Sequence, residues 1–205
     1  MKERPAARYN PTQYRIVEAA LRIFAEHGYH EATYAQITRE AGVARGLAHY
    51  YFPSKEALLI AILEEAQHKM QEMFDALTQI PSPRKRLRVF LKQNFTLLRE
   101  EADFFVLLFR LALLKQLPEA ALARLEEIYT DSLEFLSVLL YENQFPHPIE
   151  NAQLLIAQLD GIGIDYLVLK EKFPLEKIEK MLIRQYMDLV RQYRQQAASP
   201  QKKRQ

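Results

Sequence analysis

The chain contains no cysteine, and only five of its 205 residues are glycine. Without cysteine there is no disulfide framework, no thiolate-held zinc or iron–sulfur cluster, no thiol nucleophile and no thiol-based redox switch. That composition fits a reducing cytoplasm. Five glycines are too few for an α/β fold with several tight phosphate-binding turns. Long apolar runs are also scarce. The longest, such as 104–109, fall far short of the roughly 20 residues that a membrane span needs. The basic start from Met1 to Arg8 is not followed by the apolar stretch of an export signal. These absences predict a cytoplasmic chain with no membrane partner. Bulk charge of one sign is lacking too, with 28 Lys and Arg against 26 Asp and Glu. The distribution is uneven, however: residues 1–53 hold seven basic and five acidic side chains, which is the whole formal excess of +2.

What is present in quantity is helix-forming sequence. Leu, Ala, Glu, Gln, Lys and Arg dominate a chain that is 49% apolar and 26% charged, a globular balance. The fold class expected is all-α. Pro11 and Thr12 open a pattern in which Ile16, Ala19, Ala20, Ile23 and Phe24 recur at three- and four-residue spacing, and Gly28 stops it. A short second helix starts at Thr33, whose hydroxyl forms a capping box with Gln36, and ends at Gly42. The pattern resumes over 45–51, breaks before Pro53, and restarts with Ser54 as N-cap, running to about Leu77. Pro81 and Pro83 mark a change to longer helices, expected over 84–100, 103–116, 119–143, 149–173 and 175–195, with Pro118, Pro146, Pro148 and Pro174 between them.

The stretch 33–52 carries the chemistry. Two short helices joined at Gly42, with Ile37, Ala41, Val43 and Tyr51 facing inward, leave Arg45, Gly46, Leu47, His49 and Tyr50 pointing outward from the second. A helix so exposed fits a DNA major groove about 12 Å wide. His49 has two readings, groove contact or half-buried packing. Lys2, Arg4 and Arg8 likewise form either a solvated arm or one that enters a groove. The five histidines, at 27, 30, 49, 68 and 147, make no metal-ligand spacing, and no nucleophile motif is present. The expectation is a non-enzyme without cofactor or metal.

The blocks Ile16 to Tyr29, Ile37 with Glu40-Ala41-Gly42-Val43, and Tyr51-Phe52-Pro53-Ser54-Lys55-Glu56-Ala57-Leu58 resemble the N-terminal domain of the TetR (tetracycline-repressor-like) family of transcriptional regulators, over roughly Gln13 to Leu63. The resemblance implies a helix-turn-helix DNA-binding domain at 1–53 and a helical effector-binding and dimerisation domain at 54–196. A basic tail at 197–205 is expected to be disordered. It further implies that Thr33 and Lys55 hold phosphates with Tyr50 beside them, that Arg45, Leu47 and His49 face base edges, and that Gly46 permits close approach. Four positions depart from the family pattern: Ala44 stands where a Ser or Thr commonly caps, Leu47 replaces the typical Thr, Ala48 a larger core residue, and His49 the usual Tyr.

By the same resemblance the chain is a ligand-responsive homodimer, a repressor of a palindromic double-stranded DNA operator, with an unknown small-molecule effector. A helical interaction module whose helix-turn-helix has lost its function is the alternative. Residues 103–116 are apolar almost all round, which predicts a centrally buried helix. Phe105, Phe109, Tyr129, Leu133, Leu136, Tyr141 and Tyr166 are candidates for an apolar effector pocket or for plain core. Arg110 is a candidate for an anionic headgroup or for a structural ion pair. Gly161, Ile162 and Asp165, with Met181, Leu182, Tyr186 and Leu189 of the amphipathic last helix, are candidates for a dimer interface or for packing within the chain. An isologous dimer sets its recognition helices about 34–36 Å apart, one DNA turn. The cluster Arg84, Lys85, Arg86, Arg88 with Lys92 reads as a solvated helix start that opposes the helix dipole.

Overall fold

The computed structural model describes residues 9–113 and 117–198. They form α1 (Pro11–His27), α2 (Tyr34–Ala41), α3 (Arg45–Tyr51), α4 (Lys55–Thr78), α5 (Pro83–Glu100), α6 (Ala102–Ala112), α7 (Glu119–Glu142), α8 (Pro148–Leu169) and α9 (Leu175–Ala198), with no strand among the described residues. The all-α expectation holds, with local differences. The helix expected over 149–173 stops at Leu169, where Lys170 adopts a positive φ of 50°, and a single 3-10 turn, Lys170–Lys172, leads on to Pro174. The arm with Lys2, Arg4 and Arg8, the end of the expected 103–116 helix at 114–116, and most of the basic tail (199–205) lie outside the described residues.

Two compact units are present, Met1–His68 with Asp103–Glu126, and Lys69–Ala102 with Glu127–Gln205. The divisions fall inside α4, at the start of α6 and inside α7. Helix α4 continues unbroken from Lys55 and supplies Leu58, Leu59, Ile62 and Leu63 to the core. In the first unit α1 buries Ile16, Ala19, Ala20, Ile23 and Phe24 along one face. Each fully buried Leu, Ile or Phe contributes about 1.5–3 kcal/mol. The central burial expected of residues 103–116 is not found among the described ones, 103–113. In α6 only Leu107 and Leu111, one turn apart, are buried, and Leu113 just beyond it is 85% exposed.

In the second unit α5 buries Leu87, Phe90, Leu91, Phe95 and Leu98, and α9 buries Leu182, Tyr186, Met187 and Val190. Phe74 of α4 stacks on Phe135 of α7 at 4.0 Å. The basic cluster splits: Arg86 pairs with Glu142 at 2.6 Å and donates to the Ile80 carbonyl, whereas Lys85, Arg88 and Lys92 are exposed. The segment Pro148–Lys172 is long and apolar enough, by length and composition, to cross a membrane. No uninterrupted apolar run marks it in the sequence, because Glu150, Asp160 and Asp165 are spread through it.

Candidate nucleic-acid interface

Local sequence sets the reading head. Asn10 caps α1 and forms a reciprocal capping box with Gln13. Gly28, at φ 84°, turns the chain out of the helix. Thr33 caps α2 in the expected capping box, its hydroxyl accepting from Gln36 N–H at 3.2 Å and its own N–H donating to Gln36 Oε1 at 2.8 Å. At the turn, Gly42 occupies the left-handed region (φ 63°, ψ 38°). Its N–H donates to Arg39 O, and the Val43 N–H reaches back to Thr38 O at 3.1 Å, a Schellman arrangement. Ala44 caps α3 with no side-chain hydrogen bond, as the missing hydroxyl implies.

Helix α3 is anchored by Ala48, which is fully buried, while Val43 and Tyr51, expected to face inward, are only half-buried. Arg45, Gly46, Leu47 and Tyr50 form the outward face, Tyr50 at 80% exposure. His49 takes both of its readings in part. It lies flat on Tyr34 of α2, with ring centroids 4.0 Å apart and planes within 4°, and accepts from Arg45 Nε–H at 3.5 Å. Tyr34 in turn donates its hydroxyl to the Phe52 carbonyl at the end of α3. Burial raises the Tyr34 phenol above its ordinary value, which keeps that donor protonated. Nothing in the spacing of the sequence marks Tyr34, because its partners lie across the turn in a different helix.

Two expected phosphate contacts change character. The Thr33 hydroxyl already donates to Gln36 Oε1 at 2.7 Å, so a phosphate would have to displace that bond. Lys55 already has partners within the protein. Its ammonium donates to the carbonyls of Tyr29 (3.0 Å), His30 (2.9 Å) and Ala32 (2.8 Å) and sits 5.2 Å from the centre of the Tyr29 ring. Three donors are all that an ammonium has. In this conformation Lys55 is a clamp that ties the start of α4 to the α1–α2 connection, and a phosphate would have to displace one of these bonds. Arg110 is a correction to the expected burial. It is exposed rather than enclosed in a buried helix, and it donates to the Glu26 carbonyl at the C-terminal end of α1 (3.4 Å), where the helix dipole favours a cation.

The candidate effector residues fall in both units. Phe105, Phe109 and Arg110 belong to the first unit and the others to the second. Tyr129 and Tyr141 are exposed, Leu136 is core, and Leu133 is half-buried. Tyr166 alone of the set lines a described groove, an open one of about 560 Å³ in the second unit, with Phe173 and Leu175 as apolar neighbours and Arg99, Lys177 and Lys180 as cations. Arg99 is paired with Glu179.

The dimer candidates also divide. Leu182 and Tyr186 face inward, Tyr186 donating to Gln158 Oε1 at 2.9 Å and stacking on Phe145, so the amphipathic face of α9 is used inside the chain. Ile162 and Leu189 are half-buried, while Gly161, Asp165 and Met181 are exposed.

A short capped helix, a left-handed glycine turn, and a second helix anchored by one buried alanine with arginine and tyrosine outward define a helix-turn-helix head of the kind that enters a DNA groove. Residues 16–62 match the family described as bacterial regulatory proteins, tetR family. The match lies within this head and covers about a quarter of the chain. It is 30% identical over 89 residues to the fatty acid metabolism regulator protein of Bacillus subtilis (strain 168), a match covering 43% of this chain and 46% of that one. The chain thus spans about half the length of this curated relative. The fatty acid degradation regulator FadR from Bacillus halodurans superposes with a TM-score of 0.76 at 22% identity, over 88% of this chain and 97% of that one. FadR from Bacillus subtilis in complex with stearoyl-CoA gives 0.71 at 21%, over 83% and 95%. At these identities the likeness establishes a shared fold, an N-terminal helix-turn-helix followed by a helical domain.

Proposed function

We propose that the protein is a homodimeric, ligand-responsive regulator of transcription that reads palindromic double-stranded DNA and acts as a repressor. The observation that carries this reading is α3: its inward side is held by Ala48, and its outward side presents Arg45, Gly46, Leu47 and Tyr50. Relatives named as regulators support a binding protein rather than an enzyme, working in the cytoplasm where the DNA is.

The dimer would form on α8. Leu154, Ala157, Gly161, Ile164 and Val168 recur at helical spacing along one exposed stripe, and a Cβ added to Gly161 meets nothing within 4 Å. Small residues at the centre of an apolar stripe let a second helix approach closely, and the twofold-related stripe of another copy is complementary to it by symmetry. The nearby carboxylates of Asp160 and Asp165 favour a protein partner over lipid.

The effector reading is an amphipathic anion, its apolar part against Tyr166, Phe173 and Leu175 and its head on Lys177 and Lys180. The stearoyl-CoA held by the Bacillus subtilis FadR is of this class. Such a ligand releases DNA only to the extent that it binds the DNA-free conformation more tightly. The test is selection of bound duplexes from a random-sequence library by the full chain, followed by mobility shift with and without ligands found by native mass spectrometry. Enrichment of a palindrome is expected. A chain that enriches no sequence and sediments as a monomer would overturn the reading.

A further inference from the structure

We infer that Tyr34, which does not belong to the recognition helix, determines which base that helix prefers, by holding His49 so that His49 holds Arg45. The inference rests on the DNA-binding reading above and concerns how α3 discriminates rather than whether it binds.

Arg45 and His49 stand four residues apart on α3, so their side chains share a face. The Arg45 Nε–H donates to His49 Nε2 at 3.5 Å. That bond requires a lone pair on Nε2, hence a neutral imidazole with its hydrogen on Nδ1. It also occupies only one nitrogen of the guanidinium. Both terminal NH2 groups stay available for the two-pronged contact with a guanine edge. A long arginine held at Nε has fewer conformations to lose on binding, and a wrong base gains less from it because the fork cannot swing to find another acceptor.

The imidazole is itself fixed. Its ring lies parallel to Tyr34 at 4.0 Å. Tyr34 is pinned at its other end by the hydroxyl bond to the carbonyl of Phe52, the residue that closes α3. The chain of contacts begins on the first residue of α3, passes through the first residue of α2, and returns to the end of α3. Helix α3 has no side-chain cap at Ala44 to order its first turn. Tyr34 supplies a support from outside instead.

The experiment compares base preferences, measured by selection from a random duplex library, for the wild type and the full-length variants R45A, Y34L, Y34F, H49A and Y34L/H49A. R45A identifies the base pair that Arg45 reads. Y34L, which removes the ring, is expected to relax preference at that one base pair about two- to ten-fold, the worth of one aromatic stack, with preferences elsewhere and the salt slope unchanged. Y34F keeps the stacking ring but loses the hydroxyl bond to Phe52, and is expected to relax the same preference by less than Y34L does. In the H49A background Y34L is expected to change nothing further, because Tyr34 acts through His49. Unchanged preference in Y34L overturns the inference, as does a uniform loss at every position, which would mean that Tyr34 merely supports the fold. An additional loss in Y34L/H49A also overturns it. If the wild type selects no sequence, the DNA-binding reading itself fails and this inference falls with it.

Discussion

Replacing Lys55 by Met keeps the apolar stem and removes the ammonium that bridges three backbone carbonyls, those of Tyr29, His30 and Ala32. A hydrogen bond from a charged group contributes roughly 1.5–3 kcal/mol when its removal leaves the partner buried. The three bonds share one donor group and are not additive. The His30 bond is exposed, so water replaces it, while those to Tyr29 and Ala32 are partly buried and do not regain a full partner. The expected cost is about 2–3 kcal/mol. In urea, with a slope of about 2 kcal/mol/M for a domain of this size, the midpoint should fall by about 1 M. The same variant separates a clamp from a phosphate contact. Loss of one phosphate contact lowers the slope of log K against log salt by about 0.9, whereas loss of the clamp lowers affinity for all sequences alike and leaves that slope as it was. The measurements are a urea titration of the full chain and binding of a selected duplex between low and moderate salt. An unchanged urea midpoint together with a shallower salt slope would refute the clamp and restore the phosphate role that family resemblance implied.

Two glycines should respond in opposite directions. Gly42→Ala places a Cβ at φ 63°, where nothing crowds it but the backbone itself is strained, and should cost about 1 kcal/mol in unfolding measurements. Gly46→Ala lies in open space within α3 and should stabilise by up to about 1 kcal/mol while weakening duplex binding, since the added methyl faces the groove. Ala44→Ser restores an N-cap to α3 and should raise stability by about 1 kcal/mol, read as a shift of the urea midpoint. Burial pushes the Tyr186 phenol up to about 12 from its ordinary 10.0. The unfolded chain therefore loses this proton first, and stability should fall as pH rises from about 10 to 12, by roughly 2 kcal/mol. Tyr186→Phe should flatten the pH profile over that window, and an equally steep profile would contradict the burial.

Features governed by four or five neighbouring residues are legible in the order of residues alone. The caps at Thr33 and Ser54, the glycine turn at Gly42 and the missing cap at Ala44 all stand where the residue types demand, because the hydrogen bonds concerned close within one turn. The reading head is legible for the same reason. Periodicity also shows that α9 is amphipathic, yet it cannot say which surface its apolar face meets. Leu182 and Tyr186 serve the chain's own core, and the exposed stripe lies on α8.

By itself, then, the sequence determined the all-helical class, the absence of thiol chemistry and the helix-turn-helix with its outward residues, since propensity, capping and spacing are local properties. Only the tertiary structure decided that Lys55 grips carbonyls 23 to 26 residues away, that Arg110 meets the end of α1 from 84 residues along the chain, and that Tyr34 lies under His49. A charged or aromatic side chain takes whichever partner packing brings within reach, and that choice leaves no periodic trace in the order of residues.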